Sequence, residues 1–165
     1  MRIGILSDSH DHLDRLNAML AALAARKIEH LLHLGDFVAP FAMKRVLTSP
    51  LPKTMIFGNN DGEKKGLKKL FPDLQDGPIQ VVLDGVRFGL AHSVEEIPES
   101  FRAECDVVLY GHSHTRVVIA ATETRAMEIN PGETCGWLTG IPSAIVFETA
   151  TRGVEWVYTE KTPEA

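Results

Sequence analysis

The sequence predicts an α/β fold, a two-sheet β-sandwich flanked by helices, and three observations carry that expectation. Short apolar runs alternate with segments of helical period in the first half, the second half is nearly all strand-like, and 165 residues suit one domain spanning 1–165. Arg2 to Ser7 is an apolar run ended by polar residues and reads as a buried strand. Leu13, Leu16, Leu20 and Leu23 fall on one helical face, giving a helix over about 12–26 with Asp11 as its expected N-cap. His30 to Leu34 is a second strand stopped at Gly35, so strand, helix and strand form a right-handed parallel crossover. A short helix over 41–48 ends before Pro50 and Pro52, a strand over 53–57 closes at Gly58, and a helix over 63–70 ends before Pro72. Strands at 79–83 and 86–91 flank Asp84-Gly85, a hairpin signal. Residues 106–110, 117–121, 126–129, 143–148 and 154–159 complete the strands, with Thr151-Arg152-Gly153 as a turn.

Composition narrows the function. With 44% hydrophobic and 24% charged residues the chain is neither disordered, collagen-like nor coiled-coil. A net charge of -5 argues against a non-specific or stable nucleic-acid partner, which would need a basic face. No apolar run approaches the ~20 residues of a membrane span, and the N-terminus opens directly into a strand pattern, so no membrane association is expected. Two cysteines, Cys105 and Cys135, are too few for a disulfide scaffold and suggest a reduced, cytoplasmic setting. Seven histidines are the first sign of metal chemistry.

Polar clusters directly follow apolar strands at five places: Asp8-Ser9-His10, Gly35-Asp36, Gly58-Asn59-Asn60-Asp61, Ala91-His92-Ser93 and Gly111-His112-Ser113-His114. Ligand sites in crossover sheets form at the carboxyl ends of strands, so all five segments are aimed at one edge. Together they supply two aspartates, one asparagine oxygen and four histidines. That exceeds one tetrahedral zinc site and fits two metals sharing a carboxylate. Mixed imidazole and oxygen donors without thiolate suit borderline cations: manganese first, with iron, zinc, nickel and cobalt as alternatives.

The order D-x-H, G-D, G-N-x-D, His, G-H-x-H resembles the calcineurin-like metallophosphoesterase superfamily, and the length and G-N-x-D form resemble its small prokaryotic phosphodiesterase branch. The resemblance extends to Asn130-Pro131-Gly132 and implies the metallophosphoesterase-like four-layer αββα arrangement. It implies that Asp8, His10 and His114 ligate one metal, that Asn59, His92 and His112 ligate the second, and that Asp36 bridges them. Asp36, Asn59 and His10 are the residues expected to act most directly in catalysis. The implied reaction is hydrolysis of a small phosphodiester or nucleotide by a hydroxide held between two divalent metal ions, with no protein nucleophile. Alternatives are a non-catalytic protein-interaction scaffold of the same fold, or a nuclease using the same site. Oligomeric state stays open; Phe37, Phe41 and Phe71 suit either core or interface.

The sequence departs from the family pattern in three places. Asn60 stands where larger members carry a histidine proposed to protonate the leaving group, and Asp61 is expected to orient His10 or another ligand. Ser93 follows His92 where glycine is common, which implies a narrower entrance. Glu133 follows the N-P-G turn and, being repulsive to an anionic substrate, is expected to point away. His30 and His33 read as packing residues, His12 as part of the helix start, and Lys64, Lys65, Lys68 and Lys69 as a solvated helix face.

Overall fold

The structure, a computed structural model, describes residues 1–160. One sheet runs, edge to edge, β10 (Gly153–Tyr158), β9 (Ser143–Glu148), β1 (Arg2–Leu6), β2 (His30–His33) and β3 (Lys53–Met55). The other runs β4 (Ile79–Leu83), β5 (Val86–Leu90), β6 (Val107–Leu109), β8 (Met127–Pro131) and β7 (Arg116–Ile119). Helices α1 (Leu13–Ala25), α2 (Pro40–Leu47) and α3 (Lys64–Leu70) accompany the first sheet, and α4 (Glu99–Ala103) the second.

Side-chain alternation along each strand explains the layers. Ile3, Ile5 and Leu32 face the second sheet, where they pack with Phe88, Leu90, Val107, Leu109 and Ile129. Leu6 and Leu31, one residue out of phase, instead join Leu16, Met19, Leu23, Met43 and Val46 beneath the helices. Phe101 of α4 packs against Val108 and Tyr110 on the far face of the second sheet. Both faces of each central strand are therefore covered, which is why β2, β6 and all of β1 after Arg2 are buried without alternation. Within the first sheet β1 is parallel to β2 and β2 to β3, and within the second β5 is parallel to β6 and β6 to β8, so loops after parallel strands emerge together.

The Asp84-Gly85 hairpin forms as expected, with both residues at positive φ (49° and 77°), as a type I′ turn requires. Residues 94–103, to which the sequence reading assigns no element, hold a 3-10 turn at Val94–Glu96 and α4. Asp11 does not cap α1: His12 occupies the N-cap position, and Asp11, at φ 56°, turns its carboxylate to accept the Ala39 N–H at 3.1 Å. Phe37 is core, Phe71 packs at its margin, and Phe41 is half exposed. No helix among the described residues is long and apolar enough to cross a membrane.

Candidate metal centre

The five strand-end loops converge, and their backbone is unusual. Asp8, His10, Asp36, His112 and His114 all lie at positive φ, between 39° and 64°. Such conformations are uncommon for residues with a side chain, and they gather where a site over-determines them. Loop-to-loop hydrogen bonds hold them: Asp8 N–H donates to Gly35 O at 3.1 Å and His10 N–H to Asp36 O at 3.0 Å. Two glycines permit the approach. A Cβ at Gly58 would overlap Asp36 Oδ1, and one at Gly111 would overlap Ser7 Oγ.

All seven residues singled out in the sequence come together. His10 Nε2 and His114 Nε2 lie 3.3 Å apart, and Asp8 Oδ1 lies 3.7 and 3.5 Å from them. In a second group, Asn59 Oδ1 sits 2.9 Å from both His92 Nε2 and His112 Nδ1. Asp36 Oδ2 stands between the groups, 3.4 Å from His10 Nε2 and 3.4 Å from His92 Nε2. Donors held at ~2.1 Å around one cation are ~3.0–3.4 Å apart; three of these separations, 3.3, 3.4 and 3.4 Å, fall in that range and the other four lie just outside it.

The donor chemistry also fits cations. His92 Nδ1 donates to Leu34 O at 2.8 Å, which turns Nε2 toward Asn59 Oδ1 and Asp36 Oδ2, both acceptors. Asp8 Oδ1 is buried without a hydrogen-bond partner among the described residues. Burial works against a charged His92, yet the hydrogen bond and charge of Asp36, with the charge of Asp8, push its pKa up to about 9. The Asp8 carboxylate, 3.7 Å from His10 Nε2, raises the pKa of His10 as well, against burial. For Asp36, burial opposes ionisation, but His92 and Asn60 hold the carboxyl well below the usual carboxylate range. The cluster thus favours positive charge at its centre, which metal ions supply.

The supporting residues act largely through the backbone, and of the two roles expected of Asp61 it is the second, toward another ligand, that fits. Asp61 does not touch His10; its carboxylate accepts the N–H groups of Asp36 (3.0 Å), Val38 (2.7 Å) and Gly58 (2.7 Å), tying the Asp36 and Asn59 loops together. Burial raises the Asp61 pKa despite these donors. Asn60 donates its N–H and its side-chain amide to Asp36 Oδ1 and Oδ2, both at 2.8 Å. Asn130 of the N-P-G turn donates to Gly111 O at 2.8 Å and so braces the loop of His112 and His114.

Glu133 points inward, not away. It is fully buried and accepts from His114 Nδ1 at 2.7 Å, which turns His114 Nε2 toward Asp8 and His10. A carboxylate engaged by an imidazole and by Leu138 and Thr139 presents little free charge to a substrate, which is why the repulsion argument fails. Burial opposes its ionisation, but these donors and Cys135 bring its pKa down to about 2. The sequence signal was a glutamate in an otherwise family-like turn, beside a proposed histidine ligand in space but not in sequence. Cys135 Sγ donates to Glu133 and lies, with the His10 and His114 nitrogens, in a group whose candidate ligand atoms are within 4.8 Å of one another.

His30, His33 and Lys64 are engaged by partners outside the donor set. His30 hydrogen-bonds Thr54 at 3.1 Å, and His33 is buried against Phe37 with ring centroids 3.8 Å apart. Lys64 pairs with Asp76 on the exposed side of α3. Ser93 engages Glu95 of the 3-10 turn.

A family model for the calcineurin-like phosphoesterase superfamily domain matches residues 1–152. The chain belongs to this superfamily. A phosphodiesterase of Methanocaldococcus jannaschii is 35% identical over 157 residues, covering 90% of this chain and 93% of that protein. A solved archaeal phosphodiesterase superposes with a TM-score of 0.84 at 34% identity, covering 96% of this chain and 99% of that one. A phosphoesterase from E. coli has a TM-score of 0.74 at 20% identity, covering 97% and 100%, a likeness of fold. Superfamily membership implies divalent metal ions, and Asp8, His10 and Asp36 are among the groups that could hold one.

Proposed function

We propose that this calcineurin-like phosphoesterase is a dinuclear metal-dependent phosphodiesterase acting on small phosphodiesters or nucleotides. Asp8, His10 and His114 hold one cation, Asn59, His92 and His112 the second, and Asp36 spans both. The observation that carries this reading is the position of Asp36 Oδ2, equally far from a histidine nitrogen of each group. When bound, the cations supply Lewis acidity and an activated water.

The chain's own residues set the conditions for that chemistry. Leu34 O and Glu133 engage the Nδ1 atoms of His92 and His114, so each ring turns Nε2 inward, where it would meet a cation. Asp8 and Asp36 against two divalent ions leave about +2 among the ligands, which the Glu133 carboxylate behind His114 reduces to about +1, still enough to draw a phosphate anion into an acidic protein. Asn59 turns Oδ1 to the histidines, which leaves its NH₂ available to a phosphoryl oxygen. Asn60 cannot deliver a proton, so diesters whose leaving group departs as a stable anion are the favoured substrates. Manganese is the leading metal. The filled donor set disfavours the scaffold alternative, and the net charge of -5 disfavours a polymeric nucleic-acid substrate.

The test is hydrolysis of bis(4-nitrophenyl) phosphate before chelation, after it, and after manganese is restored. Activity should vanish with chelation and return with the metal, and the diester should outpace 4-nitrophenyl phosphate. Undiminished turnover in the chelated protein contradicts the reading.

A further inference from the structure

We infer that Trp137 and His12 form a stacking platform at the rim of the metal centre that takes a planar aromatic substituent of the substrate, a nucleobase or an aryl group. The inference rests on the phosphodiesterase reading, because metal ions grip only the phosphate and leave the rest of a diester to the rim. Trp137 is 62% exposed, yet its indole lies over the His12 ring with centroids 4.8 Å apart. An aromatic this exposed is ordinarily mobile, but here it is braced on both sides. Arg15 Nη1 donates to the carbonyls of Cys135 (2.5 Å) and Gly136 (3.1 Å), and Glu133 accepts the N–H groups of Leu138 (3.0 Å) and Thr139 (2.5 Å). His12 is equally fixed: its N–H donates to Ser9 O and its carbonyl accepts from Leu16.

The platform adjoins the metal centre through both of its residues. His12 follows His10 by two positions, and Cys135, two positions before Trp137, shares a group of ligand atoms within 4.8 Å with His10 and His114. Glu133 joins the two features physically, since the same carboxylate orients His114 and pins the loop that carries Trp137. A rigid, solvent-facing indole packed at a 31° tilt against an imidazole offers its free π-face to any planar ring whose phosphate sits at the metals. Stacking of that kind is worth ~1–3 kcal/mol per base by alanine substitution, about five- to 150-fold in affinity.

Isothermal titration of the manganese-loaded protein with 5′-AMP, ribose 5-phosphate and phenyl phosphate tests this. AMP should bind about tenfold more tightly than ribose 5-phosphate and quench Trp137 fluorescence. Trp137→Ala should erase the difference and Trp137→Phe should retain most of it. Tight phenyl phosphate binding assigns the platform to aryl groups in general, and its absence assigns it to nucleobases. An AMP to ribose 5-phosphate ratio near one in the wild type, or a ratio unchanged in Trp137→Ala, overturns the inference. So does a self-association that Trp137→Ala abolishes while the ratio stays the same. If no phosphate ligand binds and no diester is cleaved, the catalytic reading has failed instead.

Discussion

Replacing Asp36 with alanine is expected to lower kcat/KM for a phosphodiester by ~10³-fold or more, about 4 kcal/mol of transition-state stabilisation. The same change should weaken both metal sites together. Asp36 Oδ2 is within 3.4 Å of a donor nitrogen in each group, so its loss removes a ligand from each and the connection between them. It also removes the acceptor for the backbone and side-chain amides of Asn60. Asp36→Asn retains the shape and one oxygen but discards the negative charge, and should recover little. His30→Ala is the control, because His30 bonds Thr54 beyond the donor cluster and should leave turnover intact. Steady-state kinetics with metal content measured on the same samples separates the outcomes. Equal damage from the Asp36 and His30 changes contradicts the assignment of Asp36.

Glu133→Ala carries the second large effect, on one metal site and on stability at once. Glu133 accepts from His114 Nδ1, from the Leu138 and Thr139 amides, from the Thr139 hydroxyl and from the Cys135 thiol. Deleting the carboxylate strands these donors, and each one left buried without a partner costs about 1–3 kcal/mol. Freed from its anchor, the His114 ring loses its tautomer and orientation, which ordinarily costs ~10–100-fold in metal affinity. The cation held by Asp8, His10 and His114 should weaken while the other is spared, so a titration should resolve two unequal affinities. Glu133→Gln, which keeps an acceptor oxygen, should recover stability more fully than affinity. Because the folded-state pKa of Glu133 is depressed to about 2, its charge stabilises the fold above the ordinary range near 4.5. That contribution fades as pH falls toward about 2, so the stability gap between wild type and Glu133→Gln should narrow in acid. Equal weakening of both cations contradicts this role.

The strands and their polar tips were legible because each is local. An apolar run buried on both faces ends where a donor begins, and five such junctions suffice to place the loops of a parallel sheet at one edge. The Asp84-Gly85 hairpin was legible for the same reason. The aim of side chains within the loops was not. Asp11 turns to Ala39 and Glu133 to His114 where Asp11 itself and Gly132 occupy left-handed backbone, so spacing along the chain no longer indicates direction, and Asp61 turns to amides that come mostly from a loop distant in sequence. Helix α4 escaped notice because five residues with one apolar anchor, Phe101, carry no helical period. The Trp137 and His12 pair joins segments 125 positions apart, beyond any local pattern.

The most direct measurement is anomalous diffraction from crystals grown or soaked in manganese. The account predicts two peaks per chain, one among Asp8, His10 and His114, the other among Asn59, His92 and His112, with Asp36 ligating both. A single peak, or two peaks that do not share Asp36, would contradict it.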